Sequence, residues 1–159
     1  MTAERVERAG RVVRLELTDA LVARVVEVQR AAYAVEAALI GFDGIPALHE
    51  GPDDVRASGE EFLGWHDEGG VLAGVLGWRR LPDGAVDICR LVVSPERHRR
   101  GVATALLDAL DEVAPADRTV VSTATANGPA LALYERRGFR RVDTREIAPG
   151  VTITLLERR

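Results

Sequence analysis

Hydrophobic residues recur along the chain with two different spacings, and the spacing shows which segments are helices. Between Thr18 and about Ile40 they recur every three to four residues, and Thr18 suits the position that caps a helix. The same spacing predicts further helices over residues 101–113 and 127–137. The stretch from Gly41 to Pro52 is rich in turn-forming residues, so it predicts a loop or a broken helix.

Short apolar runs between turn-forming residues predict the strands. The first covers residues 11–17, and three runs after Glu61, separated by glycine-containing turns, indicate an antiparallel meander. Residues 119–124 form another strand, and residues 139–147 and 151–156 form a closing pair. Helices that fall between strands predict an α+β fold with a mixed sheet. No repeat or linker divides the chain, so residues 1–159 are predicted to form a single domain.

The composition narrows the class of protein. The 159 residues include 21 basic and 25 acidic side chains, so a net charge of −4 argues against nucleic acid as a partner. The residues before Arg14 lack the apolar core of a signal peptide, and no apolar run approaches the ~18 residues of a membrane helix. Cys89 is the single cysteine and no residues stand at metal-ligand spacing. We therefore expect a cytoplasmic protein without a metal or a membrane partner.

The most informative segment is Leu91 to Leu107, L-V-V-S-P-E-R-H-R-R-G-V-A-T-A-L-L. A buried strand stops at Pro95, and a short arginine-rich turn leads into a helix that starts near Gly101. The unpaired N–H groups of a helix N-terminus, with the positive end of its dipole, form an anion site. Arg99 and Arg100 add positive charge at the place where a pyrophosphate would lie.

Within this segment, V-S-P-E-R-H-R-R-G-V-A resembles the acyl-CoA-binding signature of the GNAT superfamily of N-acyltransferases. Gly101 and Ala103 fill the glycine and small-residue positions of that signature, whereas His98 stands where Arg or Gln is usual. A second segment, T-A-N-G-P-A-L-A-L-Y-E-R-R-G-F at residues 125–139, is similar to another motif of the family. The resemblance implies a mostly antiparallel sheet of six or seven strands, flanked by about four helices.

The resemblance also implies the residues that hold the co-substrate, acetyl-CoA. The turn would grip the CoA pyrophosphate, Asn127 would contact CoA, and the Tyr134 hydroxyl would face the thioester sulfur. The expected cofactor-binding residues are Leu91, Val92, Val93, His98, Arg99, Arg100, Gly101, Val102, Ala103, Thr104, Asn127, Ala130 and Tyr134.

The implied reaction is direct attack of an amine on the acyl thioester. Tyr134 is the expected general acid, because a phenol with a pKa of about 10 keeps its proton at neutral pH. A backbone N–H of the strand that ends at Val93 would polarise the thioester oxygen. Asp87 is the leading candidate for the general base, since many relatives carry a glutamate at that strand position. Tyr33, Glu36 and Glu50 lie in segments that should wall the acceptor site.

The acceptor is expected to be a primary amine of a small molecule or peptide. A catalytically silent acyl-CoA-binding sensor or assembly module of the same fold is the alternative. The intact Tyr134 and Asn127 favour the enzyme, whereas Asp87 and His98 leave room for the sensor. The C-terminal strands offer an edge for pairing across a two-fold axis, so a homodimer stays open.

Overall fold

A computed structural model describes residues 10–159, in which seven strands form one sheet. The spatial order is β1-β2-β3-β4-β5-β7-β6, and every neighbouring pair is antiparallel except β4 and β5, which are parallel. The strands are β1 (Arg11–Arg14), β2 (Glu61–His66), β3 (Leu72–Arg80), β4 (Val86–Val93), β5 (Thr119–Ala124), β6 (Arg140–Ala148) and β7 (Val151–Arg158).

Four α-helices and two short 3₁₀ turns connect these strands. The helices are α1 (Asp19–Ile40), α2 (Pro52–Arg56), α3 (Val102–Val113) and α4 (Gly128–Arg136), and the 3₁₀ turns are Pro46–Leu48 and Pro95–Arg97. Thr18 caps α1, since its side chain accepts a hydrogen bond from the Leu21 N–H at 3.2 Å. Among these helices of residues 10–159, none is both long and apolar enough to cross a bilayer.

Each face of the sheet buries its own hydrophobic core. On one face α1 and α2 cover strand residues such as Phe62, Val75 and Val92. On the other face α3 and α4 cover Leu76, Ile88 and their neighbours. The alternation of side chains along each strand supplies both faces, which is why the central strands β2 and β3 are apolar almost throughout.

A β-bulge in β4 shifts the alternation of its side chains between the two cores. Gly77 of β3 lies opposite Arg90, but the next residue, Trp78, lies opposite Ile88, so Cys89 is an extra residue in β4. Ile88 therefore belongs to the core under α3 and α4, whereas Val92 belongs to the core under α1. Arg90, which follows the bulge directly, reaches Gln29 of α1.

The parallel strands β4 and β5 pair over only three residues each. Residues 86–88 pair with residues 119–121, and beyond them β5 pairs only with β7. The result is an opening between residues 89–93 of β4 and residues 122–124 of β5, which we call the β4–β5 gap.

The predicted α+β fold is confirmed, with seven strands and four helices. The first strand ends at Arg14 and is therefore shorter than the predicted residues 11–17. The next two apolar residues, Leu15 and Leu17, pack against the core beneath α1. In the turn-rich stretch from Gly41 to Pro52, residues 41–51 form a loop that contains one 3₁₀ turn, and Pro52 begins α2.

Candidate active site

A central cavity of about 420 Å³ opens at the β4–β5 gap. It lies between α1, the loop that follows α1, the separating strands, the start of α4 and the β6–β7 hairpin. Its polar lining consists of Tyr33, Glu36, Glu50, Cys89, Arg90, Ser122, Thr123, Asn127 and Tyr134. A cavity of this size, mostly apolar with a few polar groups, is typical of a small-molecule site.

The structure brings together most of the side chains expected at the acceptor and at the reacting bond. The expected substrate-binding residues Tyr33, Glu36 and Glu50 all line the central cavity, although they come from α1 and from the loop after it. Asn127 and Tyr134 reach the same cavity from the other side, at the start and near the end of α4.

Tyr134 is buried, and its ring packs edge-on against Phe139 with 5.5 Å between the ring centroids. Burial raises the pKa of Tyr134 above its ordinary value, and the negative charge of Glu36 raises it further. The hydroxyl therefore holds its proton well into the alkaline range. A neutral phenol in this cavity is suited to donate a proton and unsuited to accept one.

Glu36 of α1 links this helix to the start of α4. Its Oε1 accepts a hydrogen bond of 3.1 Å from the side-chain amide of Asn127, whose Oδ1 accepts from the Ala130 N–H at 3.2 Å. Within residues 10–159, no basic side chain forms a salt bridge with Glu36. The Glu36 carboxylate thus places a negative charge at the cavity, and its hydrogen-bond partner among residues 10–159 is the neutral amide of Asn127.

Arg90 is the main site residue that the sequence patterns did not reveal. Its side chain is only 5% exposed, and its guanidinium donates to Glu60 at 2.8 and 2.5 Å, to Glu50 at 3.1 Å and to Gln29 at 2.7 Å. Burial lowers the pKa of Arg90, but its hydrogen bonds and its charge pairing with Glu60 and Glu50 raise the pKa by more, so the group stays charged. A Cβ at Gly77 would collide with Glu60, so the glycine leaves space for this cluster.

Asp87, the expected base, is not among the residues that line the cavity. It precedes the bulge, where β4 is still paired with β5, and its carboxylate accepts from Arg79 Nε at 3.2 Å across the strand pair. Cys89 does reach the cavity, and its sulfur lies 3.9 Å from Asp87 Oδ2. Burial, followed by the charges of Glu60 and Asp87, raises the pKa of Cys89 to about 12, so it is a thiol rather than a thiolate at neutral pH.

The turn over residues 95–101, which we call the 95–101 turn, joins β4 to α3. Arg99 and Gly101 adopt left-handed backbone conformations, with φ of 63° and 76°. No side chain caps α3, and the Ala105 N–H bonds to the Gly101 carbonyl at 2.9 Å, so the N–H groups of residues 102–104 have no partner within the helix. A Cβ at Gly101 would meet nothing within 4 Å, which shows open approach to this helix end.

The side chains of the 95–101 turn divide into free and bound ones. Arg99 and Arg100 are exposed, and no salt bridge involves either of them in the part of the chain that the structure describes. His98 instead turns back, with Nε2 at 3.2 Å from the Val93 carbonyl oxygen. Arg97 is held by Asp67 of the β2–β3 connection at 2.8 Å, so the turn is tied to a neighbouring loop.

The end of β4 presents free backbone donors to the gap. Ser94 N–H bonds to the Ala73 carbonyl of β3, and successive N–H groups of a strand point to opposite sides. The N–H groups of Leu91 and Val93 therefore point away from β3, toward the β4–β5 gap. The Val92 N–H points to β3 and its side chain is buried beneath α1.

Comparison with known proteins identifies the family. The model of the Acetyltransferase (GNAT) family matches residues 28–139, which is more than half of the chain. The protein belongs to the GNAT acetyltransferase family. This match confirms the family that the two sequence motifs predicted.

A relative of known sequence matches most of this chain. The chain is 39% identical over 143 residues to the UPF0157 protein YqkA of Bacillus subtilis (strain 168), a match that covers 89% of this chain but only 41% of YqkA. The chain thus spans about two fifths of the length of that relative.

Two solved structures share the GNAT fold at low sequence identity. The ribosomal-protein-S18-alanine N-acetyltransferase of Escherichia coli superimposes with a TM-score of 0.72 at 14% identity, over 92% of each chain. The PaiA N-acetyltransferase of Thermoplasma acidophilum, solved with coenzyme A, gives a TM-score of 0.73 at 15% identity, over 93% of this chain and 98% of that one.

Proposed function

We propose that this GNAT protein transfers the acetyl group of acetyl-CoA to a primary amine of a small molecule or peptide, by direct attack of the amine. The observation that carries the proposal is the meeting of Tyr134, Asn127 and Glu36 at one cavity, where β4 and β5 separate. A proton donor and an anionic group thus lie at the mouth of a gap that offers free backbone N–H groups.

Acetyl-CoA supplies the acyl group as an activated thioester. The N–H groups of residues 102–104 at the start of α3 fit its pyrophosphate, and Arg99 and Arg100 add positive charge beside them. The N–H groups of Leu91 and Val93 orient the part that enters the gap. One such donor aimed at the thioester oxygen contributes on the order of 3 kcal/mol to transition-state stabilisation.

Glu36 and Tyr134 divide the proton transfers between them. Glu36 binds the ammonium group of the acceptor and accepts its proton, and we assign it this role in place of Asp87 because it lines the cavity. Deprotonating an amine with a pKa near 10.4 at pH 7 costs about 4.6 kcal/mol, whereas an α-amino group near 7.8 costs only about 1 kcal/mol. Tyr134 Oη donates a proton to the departing sulfur.

The variant Tyr134→Phe tests this proposal, because it removes one hydroxyl from a buried ring and leaves the packing against Phe139 in place. Release of free CoA, followed with a thiol reagent, should fall about tenfold or more in kcat. Binding of acetyl-CoA, measured by calorimetry on the same variant, should not change.

Two outcomes would count against the proposal. An unchanged rate in Tyr134→Phe would remove the tyrosine from the mechanism. Tight binding of acetyl-CoA by the wild-type protein, with no CoA release in the presence of any amine, would instead indicate a catalytically silent acyl-CoA sensor.

A further inference from the structure

The charges around the central cavity are unequal. Glu36, Glu50 and Arg90 line it, and Glu60 lies directly behind Arg90 with its side chain only 6% exposed. Three carboxylates therefore stand against one guanidinium, although only Glu50 and Glu60 contact it. A cleft with an excess of one sign attracts ligands of the opposite sign and repels ligands of its own sign.

Arg90 does not offer an anion site, although it lines the cavity. Its Nε and Nη2 donate to the two oxygens of Glu60, and its Nη1 donates to both Gln29 and Glu50. A carboxylate on the acceptor would have to displace one of these partners. Displacing Glu60 would leave a buried carboxylate without its charge partner, which is costly.

Glu50 is fixed at the cavity through both its side chain and its backbone. Its carboxylate accepts from Arg90 at 3.1 Å, and its carbonyl accepts from Arg30 of α1 at 3.1 Å. Gln29 holds the same loop through the Ala47 carbonyl at 3.0 Å. The Glu50 side chain is still 21% exposed, so a ligand in the cavity can meet its charge.

The rest of the cavity wall suits an uncharged body. Ile40, Phe42 and Ile45 line it on the side of α1 and its following loop, and Ile147, Val151 and Ile153 line it on the side of the β6–β7 hairpin. Apolar walls favour an aliphatic or aromatic group.

We infer that the cavity selects amines with an apolar body, and that Glu50, held in place by Arg90, excludes acceptors with a carboxylate beside the amine. Arg90 is thus a positioning residue, and Glu50 determines specificity. This inference rests on the proposed function, since it names the class of amine that the transferase accepts.

Three matched amines separate charge from size. Phenethylamine, phenylalaninamide and phenylalanine share the aromatic body, and the last two differ chiefly in replacing a neutral amide by a carboxylate. In CoA-release assays, kcat/KM should be on the order of 100-fold lower for phenylalanine than for phenylalaninamide, as expected for like charges a few ångströms apart. Calorimetric binding to the protein saturated with CoA should give the same order.

The variant Glu50→Gln tests the residue itself, because glutamine can still accept from Arg90 without carrying a charge. It should narrow the preference for phenylalaninamide over phenylalanine by about tenfold. Glu61→Gln, at the exposed neighbour of Glu60, removes one charge without touching the cavity and should leave the preference unchanged.

The possible failures are distinct. Equal use of phenylalanine and phenylalaninamide would overturn the inference while the transferase function stands. Rejection of phenylalaninamide along with phenylalanine would mean that size rather than charge excludes acceptors, which also overturns it. No CoA release with any of the amines would reject the proposed function, and this inference with it.

Discussion

The 95–101 turn and the central cavity both adjoin β4, the turn after its end and the cavity at residues 89–91, but they are built in opposite ways. The turn is one contiguous segment, in which backbone N–H groups and the exposed Arg99 and Arg100 favour an anion. The cavity is formed by side chains from distant segments, and its carboxylates Glu36 and Glu50 favour a cation. A site made of backbone groups suits an acyl donor that many enzymes share. A site made of side chains can change by substitution to suit one acceptor.

The largest expected effect comes from breaking the buried charge cluster on the cavity side. Arg90→Met leaves the Glu60 carboxylate buried without its partner, and this should cost about 3–5 kcal/mol of unfolding free energy in urea denaturation. The double variant Arg90→Met with Glu60→Met should recover part of that loss, because it removes the unpaired charge as well.

A matched control is available on the adjacent strand. Arg79→Met removes the partner of Asp87, but Arg79 is 55% exposed, so the loss should stay below about 1 kcal/mol. A loss in Arg90→Met no larger than that in Arg79→Met would mean that the cluster does not hold the cavity wall.

The next largest effect concerns the 95–101 turn, where a substitution should weaken the binding of acetyl-CoA without changing the stability of the fold. Replacing both Arg99 and Arg100 by alanine removes two exposed charges, so acetyl-CoA should bind about ten- to a hundredfold more weakly in calorimetry. The melting temperature without ligand should not change, because neither side chain is buried. The same double replacement at Arg11 and Arg14 of the edge strand β1 should not affect acetyl-CoA binding, and an equal loss there would show only a general effect of charge.

The smallest expected effect concerns Asp67, whose carboxylate holds Arg97 of the 95–101 turn. The Val71 N–H, the Arg97 guanidinium and the Gly69 N–H lower the pKa of Asp67, so its contribution to stability is present above its unfolded pKa of about 3.9 and is lost as pH falls further. Asp67→Asn should therefore cost about 1 kcal/mol in urea denaturation at pH 7, with a smaller difference from wild type below about pH 4. A cost that does not depend on pH would mean that the charge of Asp67 contributes nothing.

The contrast between the two regions also explains what could be predicted from the sequence. The turn and the capped start of α4 are local features, so short motifs around Gly101 and Asn127 identified them together with the family. Glu36 and Glu50 were predicted at the acceptor site only because their segments were expected to wall it. Asp87 was expected to be the general base, and the bulge at Cys89 and the β4–β5 pairing that ends at Ile88 leave it outside the cavity.

Arg90 could not be predicted because its environment also depends on contacts between distant parts of the chain. Its partners Gln29, Glu50 and Glu60 lie 30 to 61 residues away in the chain, and no local spacing connects them. The bulge that turns Arg90 toward α1 depends on the register of β3 and β4, which the alternation of apolar residues does not specify when both faces of a strand are buried.

The measurement that tests the account most directly is thermal unfolding with saturating acetyl-CoA, compared with free CoA, ATP and NAD. A ligand at about 100 times its Kd stabilises the folded state by about 2.7 kcal/mol. For a chain of this size, that should raise the melting temperature by about 5–10 °C. A rise confined to acetyl-CoA and CoA would agree with donor binding at the 95–101 turn and the β4–β5 gap, and no rise with either CoA species would contradict it.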